Sequence, residues 1–504
     1  MISKQLIDPK SIVVVGGSDD IHKPGGTVLR NLQDGNFKGS LYVVNPKMDE
    51  VQGIKAYRDV KDLPEVDCAI LAIAAKFCPS TVEVLAKQKN TKAFIILSAG
   101  FHEENEEGAK LERQIVETIN SVGGSLIGPN CIGVLTNHYS GVFTSPIPEL
   151  NPQGVDLISG SGATALFIMD SGMQKGIKFN SMYSVGNSAQ LGVEEILEYM
   201  DESFDPKTSS RVKLLYVESI EKPEKLLKHA SSLIRKGCRI AAVKSGGSAA
   251  GSRAASSHTG ALASSDVAVE ALFRKAGIVR CNGRDELMTV AGIFMHPEMK
   301  GRNMAVVTHA GGPAVMLTDA LSNGGMDVPH IEGEKAQELL GRLFAGSSVG
   351  NPIDFLATGT AEQLGYILDA CDRDFDNIDG MAVIFGSPGL FPVFDVYNVL
   401  DEKMKTSKKP IFPIFPSSKI VKDEIAEFVS KGRVYFPDEV LFGNALCKIY
   451  KTPAPQPEHF EMPDMDVKKI REVVDNAQNG YLSPDEIHAL LDAAGVARAK
   501  EGVS

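Results

Sequence analysis

Residues 246–266, GGSAAGSRAASSHTGALASSD, set a single histidine, His258, in a run of almost nothing but small side chains. Such a run has little apolar surface to bury, and its glycines leave the backbone many conformations, so as a loop it costs entropy and returns little stability. The unprotonated imidazole is a nucleophile near neutral pH and can take a phosphoryl group. One imidazole on a mobile arm therefore suits the transport of a group between two sites. The same composition also fits a plain Ser/Gly surface loop with an incidental histidine, and the rest of the chain has to separate the two readings.

A partner for the ring and a cradle for phosphate are both legible. Glu218 follows the predicted strand Val212–Val217, at the carboxyl end where open α/β sheets place functional groups. A carboxylate accepting from one ring nitrogen fixes the tautomer and leaves the other as nucleophile; the plain alternative is a solvated glutamate at a strand end. Ser184-Val185-Gly186-Asn187 forms a further loop after a predicted strand. The segment VDLISGSGATALFIMDSGMQKG from Val155 aligns with MAVVTHAGGPAVMLTDALSNGG from Met304 at a constant offset of 149 residues, Asp170 meeting Asp319 and Gly176 meeting Gly325. Each copy reads as strand, Gly-rich turn and amphipathic helix, which indicates two related flavodoxin-like domains. Both turns, Ser159-Gly160-Ser161-Gly162 and His309-Ala310-Gly311-Gly312, present unpaired N–H groups at a helix start, so Ser161, Gly162, Gly311 and Gly312 are candidate phosphate binders. Packed about a pseudo-twofold axis, both helices would aim at one phosphate; taken singly, each is only a tight turn. His309 reads as a capping or packing residue.

On Ser256-Ser257-His258-Thr259-Gly260-Ala261 the chain resembles the nucleoside-diphosphate-forming acyl-CoA synthetases, the ADP-forming acetate–CoA ligases related to succinyl-CoA synthetase. The similarity runs from the first strand to the last residue. It implies that His258 is the phosphohistidine, that Glu218 in Leu215-Tyr216-Val217-Glu218-Ser219 is its carboxylate, and that the paired helices hold the phosphorylated ring. The implied reaction is acyl-CoA + phosphate + ADP ⇌ carboxylic acid + CoA + ATP, through an acyl phosphate. Asn351-Pro352-Ile353-Asp354 is similar to a family segment but is assigned no chemistry.

The N-terminal region reads as a Rossmann-like unit. A buried strand at 12–15 leads into Gly16-Gly17-Ser18, a helix starts near Pro24-Gly25-Gly26, and a second strand at 41–44 completes a βαβ unit; further strands fall at 68–72 and 93–97. The GxGxxG fingerprint is absent. Where a nicotinamide-dinucleotide site expects an acidic residue for the ribose hydroxyls, this chain has Asn45-Pro46-Lys47. A lysine there suits a ribose phosphate, which coenzyme A carries on its adenosine. The resemblance extends this to a CoA-binding set of Gly16, Gly17, Ser18, Lys23, Asn45, Pro46, Lys47, Ser98, Ala99, Gly100 and Asn130, with Cys131 reading as a core thiol.

The expected architecture is α/β: a CoA-binding Rossmann-like domain at 1–150, a flavodoxin-like domain with the phosphohistidine loop at 151–298, a second flavodoxin-like domain at 299–452, and a linker with the start of an ATP-grasp domain at 453–504. A net charge of −12 argues against nucleic acid or anionic membrane as main partner, and no apolar run reaches membrane-spanning length. The start lacks a secretory pattern, and the seven cysteines show no CxxC pair, which reads as reduced thiols in the cytoplasm with no metal site. Beyond the Pro-rich segment after Thr452, helices are expected at 467–478 and 483–494, the second opening on Ser483-Pro484-Asp485-Glu486. ADP or ATP with magnesium is expected on the ATP-grasp body, outside this sequence, in a longer fused enzyme or a partner subunit; an oligomer is expected. The alternative is a non-catalytic, CoA-sensing module of an acetyltransferase-type fusion, in which the loop histidine is typically lost. A CoA-binding scaffold without turnover is a third reading.

Overall fold

Ser11–Val15 runs SIVVV with its last four residues buried, the mark of a strand covered on both faces of a parallel sheet. This strand is β1. With β2 (Ser40–Val44), β3 (Glu50–Val51), β4 (Ile54–Tyr57), β5 (Cys68–Leu71), β6 (Ala93–Ile96) and β7 (Ser125–Ile127) it forms a sheet in the order β3-β4-β2-β1-β5-β6-β7. All its pairs are parallel except β3 with β4. Without the short β3 hairpin this is the Rossmann order, whose direction reverses between β1 and β5.

A second sheet contains β8 (Gly133–Leu135), β9 (Ser140–Val142), β10 (Leu150–Ser159), β11 (Phe179–Ser184), β12 (Val212–Val217), β13 (Arg239–Lys244) and β14 (Val279–Cys281), in the order β14-β13-β12-β10-β11-β8-β9. Its five parallel strands follow the flavodoxin-like order, and β8 and β9 extend the edge antiparallel. Residues 128–150 were expected with the first domain; their two strands belong instead to this sheet. Inside it, Asp156 accepts from Lys213 Nζ, from Asn180 Nδ2 at 2.7 Å and from Ser181 Oγ at 2.6 Å, so the buried charges are paired and hydrogen-bonded.

The third sheet joins β15 (Met304–Thr308), β16 (Ile353–Asp354), β17 (Gly380–Ile384) and β18 (Ile411–Ile414) in the parallel order β16-β15-β17-β18. A parallel bridge from Ile414 to Phe436 continues it and completes the same flavodoxin-like order. The repeat is therefore structural. Helices Gly162–Gln174 and Gly311–Asn323 have equal length at the 149-residue offset, and Gly176 and Gly325, which end the two helical segments, share φ +84°.

The description covers residues 2–35, 37–259, 265–387, 392–457 and 464–497 of a computed structural model, with the backbone alone for 255–259. It divides into two compact units, Met1–Pro455 and Gln456–Ser504. Within the first unit, one apolar core joins the first and second sheets, and another joins the second and third through Leu157, Met169, Leu317 and Phe442. The second unit is a helical pair, Val467–Asn476 and Pro484–Ala493. Ser483 caps the latter in a reciprocal box with Glu486, with Pro484 in the first turn, as its sequence indicates. Among the described residues no helix is long and apolar enough to cross a membrane.

Candidate active site

The turns after β1, β2, β5, β6 and β7 lie along the carboxyl edge of the first sheet, where open α/β sheets bind ligands. Gly16 takes φ +87° and donates to Val44 O at 2.9 Å. A Cβ on Gly25 would stand 2.1 Å from Gly16 O, so helix Pro24–Asp34 can begin against this turn only because Gly25 has no side chain. Lys23 stands just before that helix, 3.5 Å from Asp20, and Ser18 Oγ accepts from Asp20 N. Asn45 builds the next turn: Nδ2 donates to Gly17 O at 2.8 Å, and Oδ1 accepts from Lys47 N at 2.9 Å. Pro46 and Lys47 are exposed beside it. Ser98 Oγ donates to Ile73 O, and Ser98 O accepts from Asn130 N at 2.9 Å. Gly100 and Asn130 both need positive φ, +105° and +57°. The residues expected to bind CoA thus share one edge, from Lys47 at one end to Ala99, Gly100 and Asn130 at the other.

At the Asn130 end the edge opens into a cleft of about 290 Å³ between the first and second sheets. Leu97, His102, Asn130 and Cys131 line one side; Gly160, Ser161, Gly162, Asn187 and Glu218 line the other. The two sides are locked by backbone: Asn187 N donates to Pro129 O at 2.9 Å, and a Cβ on Gly186 would lie 2.2 Å from the same oxygen. Ser161 caps helix Gly162–Gln174 by accepting from Thr164 N, so the helix start, with its unpaired N–H groups, faces the cleft. Glu218 follows β12 as expected, and a Cβ on Gly160 would be 3.8 Å from its Cγ. No Lys or Arg lines the cleft among the described residues, whereas Glu194, Glu218 and Glu221 do. Attraction for an anion there comes from the helix start. Glu194 is already engaged, accepting from the backbone N–H of Glu221 and of Lys222. Cys131 is the core thiol its position suggested: burial pushes it up to about 12.

Other expected residues lie elsewhere. Gly311 and Gly312 open the equivalent helix of the third sheet but do not line this cleft; Gly311 lies near Asp354 instead. His309 is a packing residue: its Nε2 accepts from Gly386 N at 3.0 Å, its ring sits 4.3 Å from that of Phe385, and burial lowers its pKa. The small-residue run expected to be a loop is helical from Ala249 to Thr259. Its alanines favour helix, and Ser248 Oγ accepts from Gly251 N at its start. The side chain of His258 and residues 260–264 lie outside the described residues.

Two features of the site escaped the sequence reading. Lys244, buried at the end of β13, pairs in register with Val217, one residue before Glu218; burial lowers its pKa while Asp266 and Glu218 oppose that. His102 and Glu112 form a dyad on the cleft wall: Nδ1 contacts the carboxylate at 2.7 and 2.9 Å. Asn187 Nδ2 donates to both Glu103 and Glu112, tying the dyad to the facing loop. Its hydrogen bond to the Glu112 carboxylate raises the pKa of His102, against partial burial. The glutamates after Ser98-Ala99-Gly100 were the available signal, but only the fold brings helix Glu106–Ser121 back onto the loop.

A Rossmann-ordered sheet that meets one flavodoxin-ordered sheet at a cleft, with a second flavodoxin-ordered sheet packed behind, defines a CoA-ligase type of assembly. Family models agree: residues 10–137 match a CoA binding domain, and residues 152–294 match the succinyl-CoA ligase like flavodoxin domain. The chain is 32% identical over 434 residues to the alpha subunit of ADP-forming acetate–CoA ligase II of Pyrococcus furiosus, covering 85% of this chain and 93% of that one. It is 35% identical to ADP-forming acetate–CoA ligase I of Archaeoglobus fulgidus, covering 75% of this chain and 54% of that longer one. Among solved structures, the dinucleotide forming acetyl-coenzyme A synthetase 1 of Candidatus Korarchaeum cryptofilum, in complex with phosphate and ADP, superposes with a TM-score of 0.79 at 26% identity, covering 89% of this chain and 96% of that one. The chain belongs to the ADP-forming acyl-CoA synthetase family and is a component of that kind of enzyme. These relatives lend no support to the acetyltransferase-linked regulatory module.

Proposed function

We propose that this chain is the acyl- and phosphoryl-handling part of an ADP-forming acyl-CoA synthetase, its phosphohistidine at His258. The observation that carries the proposal is the cleft in which the start of helix Gly162–Gln174 and Glu218 face the CoA-type edge of the first sheet. CoA lies along that edge, its ribose phosphate near Lys47 and its sulfur near Asn130. Phosphate, held by Ser161 and Gly162, attacks the thioester carbon and yields an acyl phosphate and CoA. His258 then takes the phosphoryl group and the carboxylate leaves, Glu218 accepting from the other ring nitrogen, and positioning with fixed dipoles does most of the work. Gly311 and Gly312 remain a second phosphate-binding turn on the strength of the repeat alone. The division into a CoA-binding domain, a flavodoxin-like domain up to 298 and a second one at 299–452 belongs to the same proposal, with the strands of residues 128–150 counted in the second domain. ADP and magnesium belong to an ATP-grasp partner, to which the chain passes the phosphoryl group in the cytoplasm.

The chain mixed with an acyl-CoA from a panel (acetyl, propionyl, aryl) and phosphate is expected to release free thiol in phosphate-dependent, near-stoichiometric amount. Continuous turnover is expected only with an ATP-grasp subunit and ADP added. Thiol release that ignores phosphate, or ATP made by the chain alone, would overturn the proposal.

A further inference from the structure

The chemistry proposed above leaves one proton without a carrier. When the thioester breaks, sulfur must be protonated, and when CoA attacks an acyl phosphate, the thiol must lose its proton. Of the titratable groups lining the cleft, Cys131 is a buried thiol held near 12, and Glu194 is committed to two backbone N–H groups. Glu218 and Glu221 lie on the phosphate side, next to Ser219. His102 lies on the coenzyme side with Leu97, Asn130 and Cys131.

Its geometry is that of an oriented acid–base group. Nδ1 is committed to Glu112, so the tautomer is fixed, and Nε2 has no hydrogen-bond partner among the described residues. Glu112 is in turn held by Asn187, on the loop that forms the opposite wall. The charged groups that act on the ring are the carboxylates of Glu112 and Glu103; the other charged groups lining the cleft among the described residues are Glu194, Glu218 and Glu221, on the facing wall.

We infer that His102 is the proton-transfer residue for the coenzyme sulfur, its Nε2 protonating the departing thiolate and accepting the proton of the attacking thiol. The inference rests on the acyl-transfer reading above. In the forward step a phosphate oxygen bonds to the acyl carbon, the C–S bond breaks, and its electron pair goes to sulfur. Imidazolium at His102 gives sulfur its proton and is reprotonated by the one that HPO₄²⁻ loses on becoming the acyl phosphate, so protons balance. Glu112 is a positioning residue.

The test is the phosphate-dependent thiol release of the full chain and of His102→Gln, which keeps an amide near the same place but cannot exchange a proton, each followed from pH 6 to 9. The variant is expected to bind CoA within about twofold of the parent by calorimetry and to keep KM for acyl-CoA, while the release rate falls by about a hundredfold. The parent rate should carry a limb that declines as pH rises through the raised pKa of His102, and the variant should lack it. Glu112→Gln should lose about tenfold and shift that limb to lower pH. A variant with the parent's rate and pH limb would overturn the role of His102 while leaving the acyl-transfer reading intact. No phosphate-dependent release from the parent would overturn that reading, and the inference with it.

Discussion

Ser159 and Thr308 hold the same turn in two copies of one fold. Ser159 Oγ donates to Ser161 O at 2.7 Å and accepts from Ser161 N at 3.2 Å; Thr308 Oγ1 does both to Ala310, at 2.8 and 3.0 Å. Each hydroxyl shapes the passage from a central strand to a helix whose first N–H groups are unpaired.

Ser159→Ala and Thr308→Ala are each expected to cost about 1 kcal/mol in urea unfolding, the usual worth of such a hydrogen bond. Only Ser159→Ala should also slow phosphate-dependent thiol release, since Ser161 and Gly162 line the cleft and Ala310 and Gly311 do not. An equal loss of rate in both variants would show that the two turns share the phosphate after all.

Lys47 tests the coenzyme's orientation. Its ammonium is exposed at the end of the edge remote from the cleft, where a ribose phosphate would lie. By calorimetry Lys47→Ala should weaken CoA by about 1.5 kcal/mol, roughly tenfold in Kd. Dephospho-CoA should bind parent and variant alike. Equal affinity of both proteins for CoA would remove Lys47 from the site.

His296 gives a pH signature of the fold. Its ring packs on Phe412 and Phe436 at 5.1 and 5.7 Å, Nδ1 lies 2.8 Å from Gly292 O, and Nε2 is buried without a partner among the described residues. Burial drives its pKa down to about 4, so the folded state holds it neutral. Between that value and the unfolded value near 6.5, the unfolded chain binds the extra proton, so this contribution is present above 6.5 and is lost as pH falls towards 4. Unfolding measured at pH 7 and pH 5 should show a smaller acid-induced loss in His296→Leu than in the parent. The same loss in both would contradict the assignment.

Much of this was legible because strand, turn and helix signals are local. The 149-residue offset between Gly162 and Gly311 follows from matching turns, and Asn45-Pro46-Lys47 marks a strand end by its own turn chemistry. The strands Gly133–Leu135 and Ser140–Val142 are too short to show a period, so nothing local revealed that they complete the second sheet. The helix at Ala249–Thr259 is masked in the sequence by its glycine and serines, which favour loops, while its alanines favour helix. The dyad of His102 and Glu112 needs a helix to fold back on its own loop. The separation of Gly311 from the cleft is set by how domains pack, which no turn motif encodes.

The proposed carriage of phosphate by His258, with Glu218 as its partner, can be read by labelling. The chain incubated with a cognate acyl-CoA and radiolabelled phosphate should acquire acid-labile, base-stable label. The label should be absent in His258→Ala and reduced about tenfold or more in Glu218→Gln, with CoA affinity unchanged in both. Label that persists in His258→Ala would show that another residue carries the phosphate.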